Sequence, residues 1–325
     1  MQYTYLGRTG LKVSRLCLGT MNFGPNTSRD DAHTIMDAAL DAGVTFFDTA
    51  NVYGGQGHRG RTETILGEWF AKGGSRREKV VLATKVYNLM DDELDGPNDA
   101  PGLSAYKMRR AIEGSLRRLQ TDHVELYQMH HIDRHAAWDE IWGTYENLAA
   151  KGQLVYAGSS NFGARHLCYA QAAAEKRHFL GLVSEQHKFS LFCRLPELEL
   201  LPTARELGLG VIAWSPLFGG LLSGKDASDT ARSGGALSQA TPAQIEQVRR
   251  FNALCADLGE KPGVVALAWV LAQPGITAPI IGPRTLEQFT DAVHAVDVTL
   301  DESTLKALDD IFPGPGGAAP EAYAW

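Results

Sequence analysis

Short apolar runs alternate with longer segments whose apolar residues recur every three to four positions, and the alternation continues nearly to the end of the chain. The short runs predict strands at 15–21, 45–50, 80–86, 123–131, 154–161, 182–189, 210–217 and 278–283. The longer segments predict helices over 30–42, 61–73, 104–120, 138–151, 163–178, 197–208, 263–273 and 285–296, with Ser104 and Thr241 as start signals. Near-continuous apolar strands, each followed by a helix, are the pattern of a parallel sheet buried on both faces. Eight such units in 325 residues predict an α/β fold: a single-domain (β/α)8 TIM barrel spanning 1–325, with an open doubly wound sheet as the alternative. The opening YTYLGRTGLKVSRL reads as a small hairpin that plugs the barrel floor. Two long insertions, 88–103 and 218–240, read as functional loops, and the tail 313–325 as a flexible end.

Composition narrows the class. Apolar residues make up 44% of the chain, enough for a large core, and a formal net charge of -7 argues against nucleic acid as a partner. Cys17, Cys168, Cys193 and Cys255 are scattered without a C-x-x-C pair, which suits a reducing compartment. The N-terminal stretch lacks a cationic start followed by an apolar run, and no stretch of eighteen apolar residues occurs. A cytoplasmic protein without a membrane partner is expected.

Two glycine motifs suggest nucleotides and need weighing. Gly55-x-Gly57-x-x-Gly60 has the spacing of a dinucleotide fingerprint, yet it follows the second strand rather than the first. The next strand ends in a lysine where an acid should hold a ribose, so a loop at a barrel mouth is the better reading. Gly219-GLLS-Gly224-Lys225 imitates a phosphate loop, but Asp226 stands where Ser or Thr should hold magnesium. HHIDRH also invites a metal reading through His131, Asp133 and His135; the spacing is loose, and no metal is expected.

In a barrel, chemistry sits where strands end and βα loops begin. Those positions hold Asp48 with Tyr53 five residues later, Lys85, His130 and His131, Ser160 and Asn161, Gln186, Trp214 and Ser215, and Arg284 with Thr285. Singly each has an innocent role as a cap, rim packing or a satisfied core group. Together they suit proton donation to a carbonyl oxygen. A phenol holds its proton at neutral pH, and a neighbouring lysine favours the phenolate. An aspartate keeps the lysine charged and placed, and a histidine orients the oxygen. A carbonyl so prepared needs a hydride, which points to a nicotinamide.

The strings LGRTGLKVSRLCLGTMNFG, FFDTANVYG, ATKV, LYQMHHID, GSSNF, WSPL and IIGPRTLEQ, in this order over nearly the full length, resemble the aldo-keto reductase superfamily. The nearest branch is that of nucleotide-deoxysugar keto- and enoyl-reductases and potassium-channel β-subunit-like reductases. The resemblance implies NADP(H) bound at the strand ends without a Rossmann domain, a small-molecule carbonyl substrate, and a catalytic set of Asp48, Tyr53, Lys85 and His130. Tyr53 would be the acid. By the same resemblance Ser160, Asn161 and Gln186 would hold the nicotinamide carboxamide, and Trp214 would stack on its ring. Ser215, Leu217, Gly219 and Lys225 would follow the diphosphate, Arg284 and Thr285 would take the 2′-phosphate, Gln288 would lie beside the adenine ribose, and Gly282 would also bind the cofactor. Ala292 departs from the family, where asparagine is common. Strand alternation sends one of His130 and His131 into the barrel and the other toward the helices; the family pattern selects His130. A redox-sensing NADP(H)-binding subunit with little turnover is the alternative function.

Overall fold

The computed structural model describes residues 1–90, 96–98, 100–224 and 240–323. Strands β1 (Tyr3–Tyr5) and β2 (Lys12–Ser14) form an antiparallel hairpin. The next eight are β3 (Cys17–Gly19), β4 (Phe46–Asp48), β5 (Val81–Val86), β6 (Val124–Met129), β7 (Leu154–Ser160), β8 (Leu182–Lys188), β9 (Gly210–Trp214) and β10 (Ile276–Ile281). They pair in parallel and in chain order, and β10 closes on β3 through Ile280 opposite Cys17. This is the (β/α)8 barrel. The open sheet is excluded by that closure.

Helices α1 (Arg29–Asp41), α2 (Arg61–Phe70), α3 (Ala105–Leu119), α4 (Trp138–Ala150), α5 (Ala164–Lys176) and α6 (Leu200–Glu206) each follow a strand. After β9 come α7 (Pro242–Leu258) and α8 (Pro262–Ala272); α9 (Leu286–His294) and α10 (Glu302–Ile311) follow β10. Their starts are chemically marked. Ser104 accepts from Lys107 N, and Thr241 shares a capping box with Gln244 ahead of Pro242. α8 is apolar almost all round because it lies against the barrel wall, with Val264 through Val270 buried. Among the described residues no helix is long and apolar enough to cross a membrane.

Inside the barrel the lower layer is apolar: Cys17, Phe46, Ala83, Leu126, Val183, Ile212 and Ala278 pack with Leu6 and Val13 of the hairpin. The hairpin therefore closes the floor. Its turn sits so near the strands that a Cβ at Gly7 (φ 55°) would stand 2.7 Å from Gly208 O. A register shift between β7 and β8 pairs Ala157 with Leu182 but Gly158 with Ser184. This bulge at Val183 rephases β8, so Val183 faces inward and so do Ser184 and Gln186 beyond it. The upper layer is consequently polar.

Candidate active site

Asp48 ends β4 and Lys85 lies on β5, and both side chains point into the barrel one layer above Phe46 and Ala83. Lys85 Nζ, fully buried, donates to Asp48 Oδ2 at 2.5 Å, to Thr49 O at 2.9 Å and to Tyr53 Oη at 3.2 Å. Asp48 Oδ1 accepts from Gln128 Nε2 at 2.9 Å and Gln186 Nε2 at 2.8 Å. The His130 ring meets the Tyr53 ring edge-on, with centroids 5.9 Å apart. The four residues named from the sequence thus form one cluster. A cavity of about 430 Å³ opens beside Tyr53, walled by Met21, Asn22, Pro25, Val52, Gln56 and Arg59.

The backbone explains how Tyr53 gets there. β4 stops at Asp48, and Gly54 (φ 144°), Gly55 (φ 90°), Gly57 (φ 73°) and Gly60 (φ 88°) bend the chain over the mouth before α2 begins. A Cβ at Gly54 would strike His58 O, so the bend requires glycine there. The GxGxxG spacing is a tight loop that presents a tyrosine.

Charge follows from geometry. Burial pushes the Tyr53 phenol up; Lys85 pulls it down and Asp48 pushes it up again, leaving it above its ordinary value. Lys85 acts in the direction expected from the sequence, but burial outweighs it. Burial would lower the Lys85 ammonium, yet Asp48 and Tyr53 more than offset that, and it stands above its usual range. His130 is pulled down to about 2 by burial, with Lys85 and His131 adding, so its ring is neutral. Asn88 Nδ2 faces His130 Nδ1 at 3.2 Å. Nδ1 must then accept, and the ring proton lies on Nε2, free to donate.

The alternation argument for the two histidines does not apply as expected. β6 ends at Met129, so period-two geometry stops before them, and their rings lie parallel with centroids 5.3 Å apart. They still part company: His130 meets Tyr53, whereas His131 meets Tyr87. The Asp133 carboxylate accepts backbone N–H groups from Leu103, His135 and Ala136, and serves the loop.

The remaining named residues ring the mouth. Ser160 ends β7, and Asn161 follows in the left-handed region (φ 60°). Asn161 donates to His130 O and Ser160 Oγ, and accepts from Trp214 Nε1 at 3.1 Å. Its amide is largely engaged in positioning its neighbours. Gln186 spends Nε2 on Asp48 and Gln128, leaving Oε1 without a partner among the described residues. Trp214 ends β9; Ser215 (φ 54°) turns the chain and accepts from Gly219 N, with Leu217 between. Lys225 lies outside the described residues. Gly282 O accepts from Asn22, which ties the loop after β3 to the end of β10. Thr285 caps α9, and Gln288 Oε1 accepts from Arg284 N. The Arg284 side chain is exposed, and Ala292 is buried in the apolar layer.

Sequence reading missed Gln128 and Asn88, which hold Asp48 and His130. Gln128 carried a signal, being a polar residue near the carboxyl end of a barrel strand; Asn88 carried none. It also missed Glu185. This fully buried carboxylate accepts from Ser159 Oγ and Phe162 N and lies 3.1 Å from His187 Nδ1, bracketing the Ser160–Asn161 pair from outside the barrel. Burial raises its carboxyl above the usual range.

Residues 15–312 match the model described as the Aldo/keto reductase family. The chain is 61% identical over 329 residues, the whole of both chains, to a Bacillus subtilis (strain 168) protein named Uncharacterized oxidoreductase YrpG. It is 34% identical over 310 residues, 92% of each chain, to a probable voltage-gated potassium channel subunit beta of Oryza sativa subsp. japonica. It is 30% identical over 338 residues to Aldo-keto reductase AMT2 of Alternaria alternata, covering 95% of this chain and 90% of that one.

Proposed function

The chain belongs to the aldo/keto reductase family and is an oxidoreductase, and from that premise we propose that it reduces an aldehyde or ketone with NADP(H), Tyr53 giving the proton. The observation that carries this reading is Lys85 Nζ lying 3.2 Å from Tyr53 Oη while bonded to Asp48. Tyr53 Oη accepts from Lys85 and so keeps its own proton for a substrate oxygen. His130, neutral with Nε2–H available, orients that oxygen. As the proton leaves, the fixed Lys85 charge steadies the phenolate without reorganisation.

The residues present suit a nicotinamide. Its carboxamide needs one donor and one acceptor, and the Ser160 hydroxyl and Gln186 Oε1 offer them. Trp214 offers a ring face, and the Arg284 guanidinium has no partner among the described residues, which favours a cofactor with an extra phosphate. Bound there, the reduced nicotinamide supplies a hydride.

An aldehyde panel with NADPH or NADH, followed by loss of reduced-nicotinamide absorbance, tests the reading. Tyr53→Phe should lose about 10²–10⁴-fold in turnover, the usual worth of general acid catalysis, while retaining NADPH affinity. Wild-type turnover by that variant would overturn the assignment. Tight NADPH binding with negligible turnover across the panel would favour a redox-sensing regulatory subunit instead; the rice relative is named as a probable channel subunit rather than as an enzyme.

A further inference from the structure

Beyond the bulge, Ser184, Gln186 and Lys188 share the inner face of β8. Two residues of strand rise about 6.6 Å, so Lys188 stands one layer above the Gln186–Asp48 contact, at the rim. Its partner in register is Trp214. Lys188 Nζ lies 4.4 Å from the Phe218 ring centroid and 5.6 Å from that of Trp214. Aromatic faces attract and orient a cation without neutralising it.

No hydrogen-bond acceptor or carboxylate meets this ammonium among the described residues. The acids nearest in the chain are committed elsewhere. Glu185 points out of the barrel to Ser159, Phe162 N and His187, and Glu197 is paired with Arg194. Trp214 in turn donates to Asn161, which donates to His130 O, so the ammonium adjoins the residues that frame the carbonyl site. A half-buried lysine, oriented by two rings and without a counter-charge among the described residues, is a prepared donor for an anion that a ligand brings.

We propose that Lys188 recognises an anionic group on the substrate, so that the preferred carbonyl compounds are carboxylate-bearing aldehydes or ketones. This rests on the reductase reading above. The cofactor diphosphate is the other conceivable anion. The position of Lys188 above Gln186 and Asp48 favours the substrate, and Arg284 beyond β10 remains available for phosphate.

The test compares 4-carboxybenzaldehyde with 4-methylbenzaldehyde, two aldehydes of similar size that differ in charge. Wild type should prefer the carboxylate in kcat/KM, and Lys188→Met should lower that preference ratio by about ten- to hundredfold, the worth of one charge-assisted hydrogen bond. Methionine keeps a long stem against Trp214 and Phe218, and Lys188→Arg should restore the ratio. Salt should erode the preference in wild type and not in Lys188→Met. A wild-type ratio near one, or a ratio unmoved by Lys188→Met, overturns the proposal. Loss of NADPH affinity with an unmoved ratio assigns the ammonium to the cofactor and also overturns it. Should the protein reduce neither aldehyde, the reductase reading fails by itself, and calorimetry with the same two probes still decides: charge-selective binding lost in Lys188→Met supports the anion site, and equal binding sinks it.

Discussion

Arg284 is exposed just beyond β10, with its backbone N–H held by Gln288 and its guanidinium without a partner among the described residues. A phosphate that NADPH has and NADH lacks would complete it. Arg284→Ala should weaken NADPH binding by about ten- to hundredfold, one charge-assisted contact, and leave NADH binding nearly unchanged. Fluorescence titration of both cofactors checks this; equal losses would remove the assignment. At this scale the candidate site was legible where residue type and strand-end position coincided, as for Asp48, Tyr53, Lys85 and His130. Gln128 and Gln186 pair with Asp48 across 80 and 138 positions of chain, and only closure of the barrel brings them together. The work that Asn161 does for His130 and Trp214 depends on a left-handed backbone that no pattern in GSSNF announces.

Among elements, the segment after β8 and the end of the chain are fastened by Arg194. Its guanidinium pairs with Glu197 and Asp309, donates to Phe312 O and lies 5.1 Å from the Trp269 ring centroid. Phe312 also packs edge-on against Phe192 and Phe251. Beyond it Ala319 N donates to Leu198 O and Tyr323 Oη to Glu199, so the stretch expected as a flexible tail runs along this segment up to Tyr323. Arg194→Ala should destabilise by about 2–3 kcal/mol, between the limits for exposed and buried ion pairs. Urea unfolding measures that, and limited proteolysis should cut within 313–323 sooner in the variant. A variant with wild-type stability and cleavage would show the fastening to be idle. Most of the repeating helices were readable because they carry one apolar face, and α8 because it is an apolar run of helical length. α7 and α10 lie outside the repeat and pack on each other, with Gln247 donating to Ile311 O; the start signal at Thr241 marked α7, whereas α10 went unread although Asp301 caps it and Thr304, Leu308 and Ile311 recur at helical spacing.

For the molecule as a whole, burial lowers His33, His130 and His131 below the ordinary histidine value. The unfolded chain takes up protons on them near pH ~6.5, while the folded chain does not. Their folded values are depressed, so stability is full above that pH and falls as acid is added, before most carboxylates titrate. Glu185, raised by burial, pulls the other way. Thermal scans from pH 7.5 to 5 should show the melting temperature falling with pH, and His130→Gln should shallow the slope; a flat profile would contradict the buried neutral rings. The same barrel uses its candidate site as a structural belt. Asp48 alone links β4 to β5, β6 and β8 through Lys85, Gln128 and Gln186, and stripping one partner from a buried ion pair costs about 3–5 kcal/mol. A descendant that abandoned turnover would therefore still be selected to keep the acid, the lysine and their glutamines, for the sake of a closed barrel. The same residues kept intact in such a lineage would record the cost of folding before any chemistry.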